Sequence, residues 1–164
     1  KGTDGKDYTL EQFKGKIVVL EWTNYNCPWV IPHYEQGNMQ RLQKKYTAKG
    51  KDVIWLSIQS TKTNHRQYQK PEQMLATAKK WKAVPTAQLM DPVGKVGTAY
   101  GARMTPHMYV INKKGEVVYT GAIDNYRETR NREDLKSNRN YVAEVLDALL
   151  AGKTPKVQST DPYG

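Results

Sequence analysis

Apolar residues gather in two dense stretches, KIVVLEWT (16–23) and DVIWLSIQS (52–60). Both are rich in β-branched side chains and barely alternate, which predicts strands covered on both faces. From Pro28 to about Ala48 the pattern is helical, with Pro32 and Gly37 as points where a helix kinks or breaks. Upstream, Thr9 with Gln12 three residues on marks one short helical turn, ended by Gly15. The polar TKTNHRQYQKP (61–71) reads as a loop, and PEQMLATAKKWK (71–82) as a helix opened by proline. TAQLMD reads as a short strand leading into the DPVGK turn, and VGTAYGA (96–102) as a short helix. HMYVIN, KKGE and VVYTGAI form a hairpin pattern with glycine in its turn. After the polar NYRETRNREDLKSN, the segment RNYVAEVLDALLAG (139–152) is an amphipathic helix closed by Gly152.

The order β-α-β-α, connector, β-β, α implies parallel strands first and an antiparallel pair later. The expected fold is α/β, a mixed central β-sheet flanked by helices on both faces. Residues 1–152 are expected to form a single domain, with 153–164, which lack periodicity, as a surface C-terminal tail.

A length of 164 residues suits one domain with a full-sized core. With 38% hydrophobic and 26% charged residues the composition is that of an ordinary globular chain. No apolar run approaches membrane-spanning length. The sequence opens at Lys1 rather than Met, as a chain stripped of a leader would. The net charge of +10 is scattered, as in RLQKKYTAKGK, over faces suited to solvent. No basic stripe carries interleaved aromatics, so no nucleic-acid partner is expected.

Candidate chemistry converges on the only cysteine, Cys27, in NYNCPWV. It lies between a buried strand and a helix expected to hold Pro28 in its first turn, where proline suits a position lacking an acceptor. The free amides of such a turn carry partial positive charge and favour thiolate over thiol. A lone cysteine otherwise more often packs quietly in a core. One cysteine excludes an internal disulfide in this sequence. With three histidines beside it, a zinc site is not expected, and no cofactor is implied.

In order along the chain, IVVLEW, NCPWV opening a helix, DPVGKVGTAYGA, RMTPHMYVIN and GEVVYTGAID resemble the redoxin branch of the thioredoxin-like superfamily, with its TlpA-like and AhpC/TSA-like members. That resemblance implies a thioredoxin-like fold and thiol–disulfide exchange. It implies a cis proline at Thr105–Pro106 facing Cys27, whose exposed backbone pairs with an extended peptide or thiol substrate. It implies an acid behind the cysteine, here Glu21, whose buried carboxyl would have a raised pKa and shuttle protons. Trp29 then rims the site, Tyr25 and Asn26 shape access, and His107 lies close to the sulfur, while His33 faces away. TlpA-like relatives commonly work in the bacterial envelope, which favours an extracytoplasmic location.

The pattern also departs from the family. Val30 stands where a dithiol enzyme has its second cysteine, so release of a mixed disulfide requires an outside thiol. That thiol is one beyond Gly164, a small thiol or another protein; the partners are protein or small-molecule thiols and disulfides. Asn24 and Leu20 replace the Thr and Pro that precede a peroxidatic cysteine, and Pro106 stands where the activating arginine would be, with Arg103 near but not equivalent. A one-cysteine peroxidase and a non-enzymatic peptide-binding module are therefore the alternatives to exchange through Cys27.

Overall fold

The computed structural model describes residues 1–164. Five strands form one sheet in the order β3-β2-β1-β4-β5. They are β1 (Ile17–Trp22), β2 (Val53–Gln59), β3 (Ala87–Met90), β4 (His107–Ile111) and β5 (Val117–Gly121). β1, β2 and β3 run parallel, and β4 and β5 join antiparallel on the other side of β1. The expected mixed sheet is thus present. β1 lies at its centre with all six residues buried, which explains why it is apolar except at Glu21.

Residue alternation divides the sheet into two faces. One carries Val19, Trp55, Met108 and Val110, packed against Tyr34 of α1 (Ile31–Glu35) and Met39, Leu42 and Tyr46 of α2 (Asn38–Tyr46). Met74 of α3 (Pro71–Lys80) and Val142, Val145 and Leu146 of α6 (Tyr141–Leu150) complete it. The other face carries Val18, Leu20, Trp22, Leu56, Ile58 and Tyr109. Phe13 from the 3-10 turn Leu10–Phe13 and Tyr100 of α4 (Lys95–Tyr100) cover it. The polar stretch before α6 holds two further turns, α5 (Tyr126–Thr129) and the 3-10 turn Leu135–Ser137.

Two expectations need correction. The helix expected from Pro28 begins at Ile31 and breaks at Gly37, whose φ of 69° is left-handed. Pro32, expected to kink it, sits instead in its first turn, where its missing N–H costs no hydrogen bond. The segment 153–164 runs over the surface but is tied down along part of its length. It adds to the edge of β5, the Thr120 amide donating to Gln158 O and the Thr160 amide to Thr120 O, both at 3.1 Å. Gly121, at φ +148°, lets it pass, because a Cβ there would collide with Thr160. Pro162 and Tyr163 are buried by the packing that follows.

Candidate active site

Cys27 sits in a tight turn between β1 and α1. Its amide donates to Asn24 O at 2.9 Å, and its own carbonyl accepts from the amides of both Val30 and Ile31 at 3.0 Å. Those amides therefore face the Cys27 carbonyl, and the five-residue α1 starts four residues further on. This corrects the expectation of a thiol at the head of a long helix. A different polar group meets the sulfur. The Cys27 thiol donates to the Thr105 carbonyl at 3.3 Å, a hydrogen bond spanning 78 residues of sequence. Cys27 is buried, with 8% of the residue exposed. The Thr105–Pro106 peptide is cis, and Pro106 is buried at the head of β4.

The turn is held from below. The Asn24 side chain accepts from the Asn26 amide at 2.8 Å and donates to Thr61 Oγ1 and Gln67 O at 2.7 and 3.1 Å. Asn26 itself is exposed, and its carbonyl accepts from Gln67 Nε2 at 3.2 Å. Tyr25 is buried edge-on against Tyr34, ring centroids 5.0 Å apart. Pro28 is exposed, and its carbonyl accepts from Arg132 Nη2 at 2.6 Å. The same guanidinium lies over the half-buried Trp29 ring at 5.5 Å.

Glu21 is fully buried on the Cys27 side of the sheet. Its carboxyl accepts from Tyr34 Oη and Trp55 Nε1, both at 2.7 Å, from Ser57 Oγ at 2.9 Å and from Gln43 Nε2 at 3.3 Å. Burial pushes this carboxyl above the usual carboxylate range, and the donors pull it back only in part. These bonds end on Tyr34, Gln43, Trp55 and Ser57; none reaches Cys27. Glu21 anchors the floor under the site rather than touching the sulfur.

His107 lies elsewhere. Its ring tilts against Tyr109, on the sheet face opposite the Cys27 cluster, and its nitrogens meet the Arg103 amide at 3.4 Å and Thr120 Oγ1 at 3.2 Å. Burial and, less, Arg103 lower its pKa to about 4. The alternation of β4 sends His107 and Met108 to opposite faces, which the one-residue offset from Pro106 did not reveal.

A second polar chain, absent from the sequence reading, closes the other side of the site. Arg41 Nη2 donates to Asn38 Oδ1 at 3.0 Å, which turns Asn38 Nδ2 toward His33 Nδ1, also at 3.0 Å. His33 then carries its hydrogen on Nε2 and donates to Tyr163 Oη at 3.0 Å. Tyr163 Oη donates to Asp124 Oδ1 at 2.6 Å. Burial, then Arg132, lowers the His33 pKa to about 3. Burial raises Asp124, and burial together with the Asp124 carboxyl beside it pushes the Tyr163 phenol up. Tyr163 also packs on Trp29 and Tyr126, at centroid distances of 5.9 and 5.3 Å. The available signals were two: a large aromatic in an otherwise polar tail, and a glycine ending β5, which marks a close backbone approach.

A parallel three-strand core extended by an antiparallel pair, with a turn-borne thiol touching the backbone just before a cis proline, defines a thioredoxin-like protein. The chain belongs to the Redoxin family, whose model matches residues 1–137. Among solved structures it is similar to an uncharacterised conserved protein from Geobacillus kaustophilus, with 26% identity and a TM-score of 0.80 over 97% of this chain and 82% of that one. A hypothetical protein from Sinorhizobium meliloti is similar at 22% identity and TM-score 0.81, covering 98% and 86%. The exposed lipoprotein thioredoxin of Streptococcus pneumoniae is 26% identical at TM-score 0.58, covering 82% and 96%. No curated protein matches the chain.

Proposed function

We propose that the protein is a thiol–disulfide oxidoreductase acting through Cys27 alone. The observation that carries this reading is the contact of Cys27 Sγ with the Thr105 carbonyl at 3.3 Å. Membership of the Redoxin family supports it. In the first step the Cys27 thiolate attacks one sulfur of a disulfide. A new bond from Sγ to that sulfur forms, the old S–S bond breaks, and the leaving thiolate takes the proton Cys27 gave up. A second thiol from outside the chain described here then attacks the mixed disulfide. It leaves as the new disulfide and Cys27 is restored. No net electron transfer to Cys27 occurs over the cycle.

In this reading Thr105 and Pro106 present backbone to the bound disulfide, and Pro28 and Trp29 form the rim. Asn24 and Asn26 set the turn, and Glu21 positions its floor through Tyr34. The substrates are thiols and disulfides of small molecules or proteins. No helix is long and apolar enough to cross a membrane. An extracytoplasmic location belongs to the same proposal, supported by the likeness to a surface-exposed lipoprotein thioredoxin.

The test is steady-state reduction of a small disulfide by an added dithiol, with the protein and with its Cys27→Ser variant. Catalysis above the uncatalysed rate that disappears in the variant is expected. A rate equal to background for both would refute the proposal.

One observation bears on a second reading, peroxide reduction. Arg132, from a distant loop, brings a cation to the carbonyl of Pro28, the residue after Cys27. There Cys27 thiolate would take the terminal oxygen of a hydroperoxide, becoming a sulfenate and releasing the alcohol or water. Dimedone labelling of Cys27 after a peroxide pulse distinguishes the two, because exchange alone yields no such adduct.

A further inference from the structure

The last five residues described, Thr160–Gly164, do more than decorate the sheet edge. Thr160 Oγ1 meets Tyr119 Oη at 2.7 Å and the Ala122 amide at 2.9 Å. Arg127 Nη1 donates to Pro162 O at 3.4 Å. Tyr163, 7% exposed, is clasped between Trp29, His33 and Tyr126 and held through its hydroxyl by His33 and Asp124. This brings Gly164 onto the Thr105 backbone. A Cβ built on Gly164 would lie 2.7 Å from Thr105 O and 2.9 Å from Thr105 N. Thr105 O is the same atom that accepts the Cys27 thiol. The segment therefore covers both polar backbone atoms that an extended chain would pair with beside the sulfur. A side chain on Gly164 would not fit that close approach, which is why glycine stands there.

We infer that Thr160–Gly164 is a strap seated on the substrate edge of the site, so that Cys27 accepts small disulfides directly and extended protein disulfides only when the strap lifts. The inference rests on the proposed exchange activity for its substrate class, but the strap itself is testable without that activity. Besides the Thr160 and Pro162 bonds, its hold comes from one side chain, Tyr163, joined to the body of the domain by two hydrogen bonds and by contacts with the rings of Trp29, Tyr126 and His33. Opening of so local a latch need not involve the rest of the core.

The experiment is size-graded alkylation of Cys27 in the unmodified chain and in Tyr163→Ala and Tyr163→Phe variants, with iodoacetamide as the small reagent and a polymer-tagged maleimide as the large one. Circular dichroism and a denaturation curve establish that each variant is folded. Tyr163→Ala is expected to speed the large reagent about tenfold or more, equivalent to about 1.4 kcal/mol of strap docking. The small reagent should change less than about twofold by the same conversion. Tyr163→Phe keeps the ring and loses both hydroxyl bonds, so it should fall between. Equal acceleration of both reagents, or of neither, in a folded Tyr163→Phe or Tyr163→Ala protein would overturn the strap. The same variants are then assayed with glutathione disulfide and with a disulfide-linked extended peptide. A selective gain for the peptide supports the substrate restriction, and no gain refutes it. Failure of glutathione disulfide to react in every variant, with the alkylation pattern as expected, would sink the exchange activity and leave the strap standing.

Discussion

Replacing Glu21 tests how the floor beneath the cysteine is held. Three donors, Trp55 Nε1, Ser57 Oγ and Gln43 Nε2, converge on its Oε2, and Tyr34 Oη on its Oε1. In Glu21→Leu the indole N–H has no other acceptor, whereas the Ser57 and Tyr34 hydroxyls can turn. A buried donor left unpaired costs about 1–3 kcal/mol, so a loss of about 1–3 kcal/mol is expected for this variant. Glu21→Gln keeps a carbonyl toward the three donors and removes the charge. Because burial raises the Glu21 pKa in the folded state, the folded protein binds the proton more tightly than the unfolded chain. Its contribution to stability is fully present below the ordinary glutamate value of 4.5 and is lost as pH rises through the folded value. The slope in that window is up to about 1.4 kcal/mol per pH unit. Glu21→Gln has no such slope. Urea denaturation of both proteins at pH 5 and pH 7 should show the substitution costing less, or even stabilising, at the higher pH. A cost that grows with pH would mean that the donors outweigh burial, and the reasoning would be wrong.

The remaining predictions are read by similar means. His33 is held neutral between Asn38 Nδ2 and Tyr163 Oη, with its pKa lowered from 6.5 to about 3, so the unfolded state binds its proton first. The stability it secures is complete above 6.5 and falls as pH drops toward about 3, by up to about 1.4 kcal/mol per unit; denaturation midpoints compared with His33→Gln should show a fall that the variant lacks. Gly121→Ala places a Cβ into Thr160 at φ +148°, and should cost about 1–3 kcal/mol and open 153–164 to limited proteolysis. Asn24→Ala frees the Asn26 amide, Thr61 and Gln67 together, and should cost about 1–3 kcal/mol with faster amide exchange at Asn26 and Cys27.

The strands are legible because a strand covered on both faces must be largely apolar, and β1 and β2 are, apart from buried Glu21, Ser57 and Gln59. The helix after Cys27 was placed too early because Pro28 and Pro32 both satisfy the rule for a first turn. Only the hydrogen bonding of the Cys27 carbonyl chooses between them. Cys27 stands out from its own strand-to-helix context and Thr105 and Pro106 only through the family resemblance; the Cys27 sulfur meets the Thr105 carbonyl. Glu21 also stands out only through the resemblance and lies on the Cys27 side of the sheet, but its bonds run to four other residues. Asp124, Asn38 and Tyr163 escaped notice because their roles exist only in one another's presence. Nothing local marks a tyrosine 130 residues from His33 as its hydrogen-bond partner. Arg132 is similar: in sequence it is one of several basic residues in a polar loop, and its value comes from reaching Pro28, 104 residues away.

The most direct measurement is the rate at which glutathione disulfide adds to Cys27 across a series of low urea concentrations, followed by intact mass. A reactive thiol in the folded protein should gain one mixed-disulfide adduct at a rate indifferent to urea in the folded range, and an added thiol should remove it. An adduct that forms only at the rate of unfolding would mean that Cys27 is a packing residue, and that the touch of its sulfur on Thr105 carries no chemistry.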